Sequence, residues 1–245
     1  FVTAIMELLQ RPVLPEHIVI EASGVGDPRV IAEVAKLHPQ LFRDMVIVMV
    51  DAQTIQQRAT DARLADTVEL QLQSADLLVL NKIDLVSDEE REPVQQWLAG
   101  RAPGIPIVPS EKARFSLEFL FSDLKKGSPA GSDNVPVDSN AHSHDHVFAS
   151  VTLFMEQPVN LERFREALAM MPDTVLRAKG FVSTSEPESR VFSVQLAGRH
   201  VDVVEQQTSA KSGSGGSAMV FIGLQGMPEE SWFRTVFMAA QEPGQ

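Results

Sequence analysis

The chain has 245 residues, room for one large domain or two modest ones, and carries 33 acidic against 21 basic residues, a formal net charge of −12. Neither half is basic, which excludes a nucleic-acid scaffold or an anionic membrane surface as main partner, because phosphate groups need clustered Lys and Arg. With 44% hydrophobic residues the chain has material for a core, and with no Cys it excludes disulfides, thiolate metal sites and a Cys nucleophile.

No apolar run approaches the roughly 18 residues of a membrane span and no signal peptide opens the chain, so the sequence predicts a soluble, cytoplasmic protein. From Phe1 to about Leu124, apolar β-rich runs alternate with helical stretches. Strands are predicted at His17–Glu21, Met45–Asp51, Leu77–Asn81 and Ile105–Pro109, and helices near 29–38, 62–74 and 88–99. Three of the runs lack polar alternation, as strands buried on both faces of a parallel sheet do. They end in polar residues, Glu21, Asp51 and Asn81 with Asp84 just beyond, at the carboxyl edge where open α/β sheets bind ligands. The fold class is α/β, a doubly wound parallel sheet over residues 1–125.

Residues 126–146 change character, dense in Gly, Ser, Pro and Asn and ending in Ala141-His142-Ser143-His144-Asp145-His146, which marks a flexible linker. A second unit over 147–245 is predicted as a small α+β sandwich with helices on one sheet face. Its strands are Val147–Met155, Val175–Thr184, Arg190–Leu196, His200–Glu205 and Ala218–Gly223. Its helices are Leu161–Met171, N-capped by Asn160, and one from about Pro228 to Ala240. Phe233, Phe237 and Met238 fall at core spacing on the last helix, and Met170-Met171 also read as packing residues.

The strongest motif is Asn81-Lys82-Ile83-Asp84 at a strand end. An Asp there accepts two hydrogen bonds, from guanine N1–H and the exocyclic amine, a pattern adenine lacks; the Asn reaches the other purine edge and the Lys stem lies over the ring. Polar groups left unpaired by the wrong base make such a site selective. The competing reading is a β-turn with a capping Asp. Glu21-Ala22-Ser23-Gly24-Val25-Gly26-Asp27-Pro28 follows the first strand. Glu21 there can hold Mg²⁺ directly or through water, and the Gly24 N–H can approach a γ-phosphate. It also reads as a tight turn with Asp27 as N-cap and Pro28 at the first helical position. Arg29 stands where a Rossmann fingerprint needs its third Gly. There is no Gly-x-x-x-x-Gly-Lys-Ser/Thr phosphate cradle and no Gly-x-Ser-x-Gly elbow. In an extended segment His142, His144 and His146 point the same way and, with Asp138 or Asp145, can gather a Zn²⁺-type ion; the alternative is a solvated linker that binds nothing specific.

Taken in order, Ile18–Pro28, Val46–Ala52, Gln71–Val86, Leu176–Phe181 and Val220–Gly223 resemble the CobW-type GTPases, relatives of the HypB and UreG metallochaperones. The resemblance implies a P-loop GTPase that couples Mg²⁺ and GTP binding and hydrolysis to delivery of zinc or cobalt. It implies a metalloenzyme or cobalamin-pathway client as partner, and leaves homo-oligomerisation open. Glu21 would be its catalytic Walker B carboxylate, Gly24 its γ-phosphate-sensing glycine, and Asn81, Lys82 and Asp84 its guanine readers. Asp51 matches a family position without a role derivable from sequence. The family's P-loop and Cys-x-Cys-Cys are absent, and the resemblance places both before Phe1. The expectation is therefore a truncated GTP-binding domain that by itself binds GTP weakly and is inactive; the alternative is a non-enzymatic metal-buffering or partner-docking protein.

Overall fold

A computed structural model of the chain describes residues 1–22, 27–38, 41–114, 117–121, 148–184, 190–206 and 216–241. Two sheets organise them. The first is parallel, in the order β1 (Ile47–Asp51), β2 (Leu77–Asn81), β3 (Ile107–Pro109). β2 lies in the middle, and Leu77, Leu78, Val79 and Leu80 are all essentially inaccessible. At roughly 1.5–3 kcal/mol per buried aliphatic side chain, this strand is the main apolar anchor of the sheet.

Alternation along β2 divides the two faces. Leu78 and Leu80, with Val50, pack under Ile55 of α3 (Ile55–Thr60), Val68 and Leu72 of α4 (Ala65–Ser74), and Val94 and Leu98 of α5 (Asp88–Arg101). Leu77 and Val79, with Val108, face the other way onto Phe119 of α6 (Leu117–Phe121). α5 starts with a capping box: the Ser87 hydroxyl accepts from the Glu90 N–H and the Glu90 carboxylate accepts from the Ser87 N–H. α1 (Val2–Leu9) precedes the sheet, and α2 (Pro28–Glu33) has the predicted N-cap, with Asp27 accepting from the Arg29 N–H and Pro28 in the first turn.

Residues 17–22 correct the strand predicted at His17–Glu21, because among the described residues they pair with no ladder. A strand exists only through its neighbours' hydrogen bonds, and without them the apolar run is left open, with Val19 79% exposed. His17 instead meets the ring of Phe121 edge-on at 5.1 Å.

The second sheet is antiparallel, ordered β4 (Phe148–Met155), β8 (Ser217–Leu224), β5 (Val175–Thr184), β6 (Arg190–Ala197), β7 (His200–Glu205). One face is covered by α7 (Leu161–Ala169) and α8 (Glu230–Met238), where Phe164, Phe221, Phe233 and Phe237 form a fully buried aromatic core. Asn160 caps α7 as predicted, accepting from the Arg163 N–H at 3.1 Å. Met238 and Met170, read as packing residues, are about two-thirds exposed, at 65% and 64%. Met238 lies on the outer side of α8 and Met170 just past the end of α7, and Phe237 and Leu168 take the core-facing positions.

The opposite face of this sheet packs on the parallel one: Leu176 and Ile222 join Leu77, Val79, Val108 and Phe119 in a shared cluster. Polar contacts fix this join. Arg177, 2% exposed, donates to the Phe119 and Leu120 carbonyls and to Asp44 Oδ2 at 2.7 Å, and the Lys179 ammonium reaches the same carboxylate at 3.0 Å. Asp76, just before β2, accepts from Arg43 at 2.6 Å and from the Val46 N–H at 2.7 Å. Burial is the largest influence on Asp76 and pushes its carboxyl above the usual range despite these partners. Gly198, in the β6–β7 turn at φ +54°, sits against the Asp76 backbone, where a Cβ would come within 2.7 Å of the carbonyl oxygen.

Candidate functional site

The carboxyl edge of the parallel sheet gathers the chemistry. β1 and β2 run in register with Asp51 opposite Asn81, so both strands deliver a polar residue at the same level. The Ala52 N–H donates to the Asn81 carbonyl at 3.0 Å. From the other side, the Ser110 N–H donates to the Leu80 carbonyl at 2.9 Å and the Ile83 N–H to the Ser110 carbonyl at 3.3 Å. The Asn81-Lys82-Ile83-Asp84 segment is thus a turn clamped between the ends of β1 and β3.

Within that turn Lys82 is left-handed, at φ +63°, a conformation uncommon for a residue with a Cβ. It breaks the strand's alternation and begins the 3-10 turn Ile83–Leu85, which carries Asp84. The Lys82 ammonium reaches Asp51 Oδ2 at 2.7 Å. Asp51 Oδ1 accepts from the Gln53 N–H at 2.9 Å, and Gln53 Nε2 donates to the Leu85 carbonyl at 3.3 Å. Partial burial opposes ionisation of Asp51, but the Lys82 hydrogen bond, the Gln53 N–H, the Lys82 charge and the Thr54 hydroxyl outweigh it. They hold the carboxyl below its ordinary range.

Asn81 Oδ1 accepts from the Ala113 N–H at 2.8 Å. The loop that supplies this donor holds two more left-handed residues, Lys112 at φ +51° and Ala113 at φ +55°, and is braced by the Ser110 hydroxyl on the Arg114 carbonyl at 2.9 Å. Clustered backbone strain of this kind marks functional loops. Sequence reading missed this loop, because its contribution is a backbone N–H; the one available signal is that Ser110 directly follows a strand that ends at the same edge as Asp51 and Asn81. Asp84 is exposed, and its carboxylate accepts no hydrogen bond among the described residues, so both of its oxygens remain available as acceptors.

The other candidates are placed differently. Glu21 is exposed in a segment outside the sheet. Gly24, and the histidines His142, His144 and His146 with the rest of the linker, lie outside the described residues. Among the described residues no group of three or more His, Cys, Asp or Glu side chains is arranged to hold a metal ion. Of the predicted site residues, Asn81, Lys82 and Asp84 share one turn at the carboxyl edge of the sheet, and Glu21 lies in the segment outside it. A cavity of about 480 Å³ lies along α3, lined by Thr54, Gln57, Arg58 and Asp61. No described helix is long and apolar enough to cross a membrane.

A parallel sheet with a polar carboxyl-edge turn is thus joined face to face with an antiparallel sheet under two helices, an α/β unit followed by an α+β one. Residues 1–109 match the model of the CobW/HypB/UreG nucleotide-binding domain, and residues 148–238 match that of the cobalamin synthesis protein CobW C-terminal domain. The chain belongs to the CobW family. It is 24% identical to a zinc chaperone CobW from a Sinorhizobium sp, over 94% of this chain and 73% of that protein. It is 25% identical to the zinc chaperone YeiR of Escherichia coli (strain K12), over 66% of this chain and about half, 48%, of the relative. Among solved structures it is similar to the Zn(II)-bound YjiA GTPase from E. coli, at 21% identity and a TM-score of 0.38, covering 89% of this chain and 69% of that one.

Proposed function

We propose that the chain binds a guanine nucleotide through Asn81, Lys82 and Asp84. We further propose that in its working state the protein hydrolyses GTP to GDP and phosphate and couples nucleotide state to the handling of a transition metal. The observation that carries this reading is the base turn itself, a left-handed Lys82 followed by an unengaged Asp84 at the end of the central strand. A carboxylate with two open acceptors suits the paired N1–H and N2–H donors of guanine and is mismatched to adenine, which offers an acceptor at N1. The Lys82 stem offers an apolar cover for the ring.

The rest of the reading is carried by family membership. Glu21, with Gly24, is assigned to the Mg²⁺ and γ-phosphate end of the nucleotide, Glu21 as the catalytic carboxylate. His142, His144 and His146 are assigned to the cargo metal, zinc or cobalt. The two named relatives are zinc chaperones, which favours zinc. The client is a metalloenzyme or a cobalamin-pathway protein, docked by the C-terminal unit.

The test is base selectivity. Asp84→Asn replaces one acceptor by a donor and is expected to weaken GTP while favouring xanthosine triphosphate, whose C2 carbonyl accepts where guanine donates. A single exchanged hydrogen-bond pair is worth roughly 1–3 kcal/mol, or about five- to 160-fold in relative affinity. Competition titration against a fluorescent GDP measures it, and an unchanged preference for GTP over xanthosine triphosphate would remove Asp84 from the site.

A further inference from the structure

We propose that Asp51 is a positioning residue for purine recognition: it anchors the Lys82 ammonium so that the lysine stem is held ready across the base-binding turn. The inference rests on the guanine reading above and adds a residue from a different strand. Lys82 is the side chain best placed to cover a purine face, yet a lysine on a turn is ordinarily mobile, and a ligand that uses it must order it on binding. Here the ordering is already done. The left-handed backbone at φ +63° sends Lys82 out of the strand's alternation, and its ammonium meets Asp51 Oδ2 at 2.7 Å.

Asp51 is itself held on both sides. Its side chain is 21% exposed, its Oδ1 takes the Gln53 N–H, and Gln53 reaches on to the Leu85 carbonyl at the end of the turn carrying Asp84. The circuit Asp84 turn, Leu85, Gln53, Asp51, Lys82 closes on itself, so the base-reading carboxylate and the base-covering lysine are referenced to one fixed point on β1. Each Asp51 oxygen already has a donor, so the residue acts through Lys82 and need not touch the base. Preorganisation of this kind raises affinity by lowering the ordering cost, without adding a ligand contact.

The experiment is a double-mutant cycle on the full chain, titrating N-methylanthraniloyl-GDP into the wild type, Asp51→Asn, Lys82→Met and the double variant, with circular dichroism confirming that each is folded. Asp51→Asn is expected to weaken binding about fivefold, the size of a part-exposed ion pair expressed as an equilibrium constant. In the Lys82→Met background the same change is expected to cost less than about twofold. The ratio of GDP to xanthosine diphosphate affinity should not move in Asp51→Asn, since Asp84 sets it. An equal loss in both backgrounds, or none in either, overturns the inference and leaves the guanine reading intact. A wild-type chain with no preference for guanine over adenine nucleotides overturns both.

Discussion

Arg177 is the residue on which the join between the two sheets should depend most. Its guanidinium is buried where α6 ends, donating to the Phe119 and Leu120 carbonyls and pairing with Asp44 across 133 positions of sequence. Arg177→Met keeps most of the stem volume and removes the donors. Two carbonyls then lose their partner in a poorly hydrated place, at about 1–3 kcal/mol each if nothing replaces it. Asp44 is 34% exposed and keeps Lys179 at 3.0 Å, so its charge is not stranded and adds little. Against this, the arginine Nε is buried without a partner among the described residues, and removing it returns part of the cost. The balance is a loss of roughly 2–4 kcal/mol, less than the 3–5 typical when a buried partner is left charged and alone. The two tryptophans divide conveniently: Trp97 on α5 packs with the parallel sheet and Trp232 on α8 with the antiparallel one. Urea unfolding followed by fluorescence, with each tryptophan in turn replaced by Phe, reads the two units separately. The wild type should unfold with coincident transitions, and Arg177→Met should separate them, with the Trp97 unit melting first because its sheet is the smaller. A shift below about 1 kcal/mol with the transitions still coincident would refute the claim that this side chain couples the sheets.

Ser87→Ala removes one arm of the α5 capping box and should cost about 1 kcal/mol in urea unfolding, while Ser87→Asp, which keeps an acceptor at the N-cap, should cost much less. Asp51 also predicts an acid limb. Its folded-state pKa lies below the unfolded value, so its contribution is present above the ordinary aspartate range and is lost as pH falls through the lowered value. Stability measured from pH 5 downward should therefore fall less steeply in Asp51→Asn than in the wild type; parallel slopes would mean that the Lys82 pairing does not persist in solution.

The antiparallel sheet was legible almost to the residue because its strands alternate: Val175, Ala178, Val182, Val194 and Phe221 are buried on the helix face, and the turn residues stand between them. β1 and β2 were legible as unbroken apolar runs ending in polar groups, and β3 as the short run Ile105–Pro109. The same rule overreached at Ile18–Ile20, because an apolar run records burial potential and says nothing about whether a neighbouring strand is there to pair with it. The site divides in the same way. Asn81 and Asp84 announce themselves by residue type and spacing. The Lys82–Asp51 pair does not, since it depends on a left-handed backbone that a lysine does not advertise. The Ser110–Arg114 loop acts through the Ala113 N–H, which any residue but proline would supply. Arg177 reads as one more strand residue until the second sheet is seen to cover Phe119.

The central claim, that nucleotide state governs metal handling, is tested most directly by the zinc affinity of the protein in its GTP- and GDP-loaded forms, measured by competition with a chromophoric chelator at saturating Mg²⁺ and nucleotide. The account predicts affinities that differ by at least about fivefold, the lower bound of a typical coupling energy between two sites. It also predicts that replacing His142, His144 and His146 together by alanine abolishes the difference. Equal zinc affinity in both nucleotide states, with guanine binding intact, would contradict it.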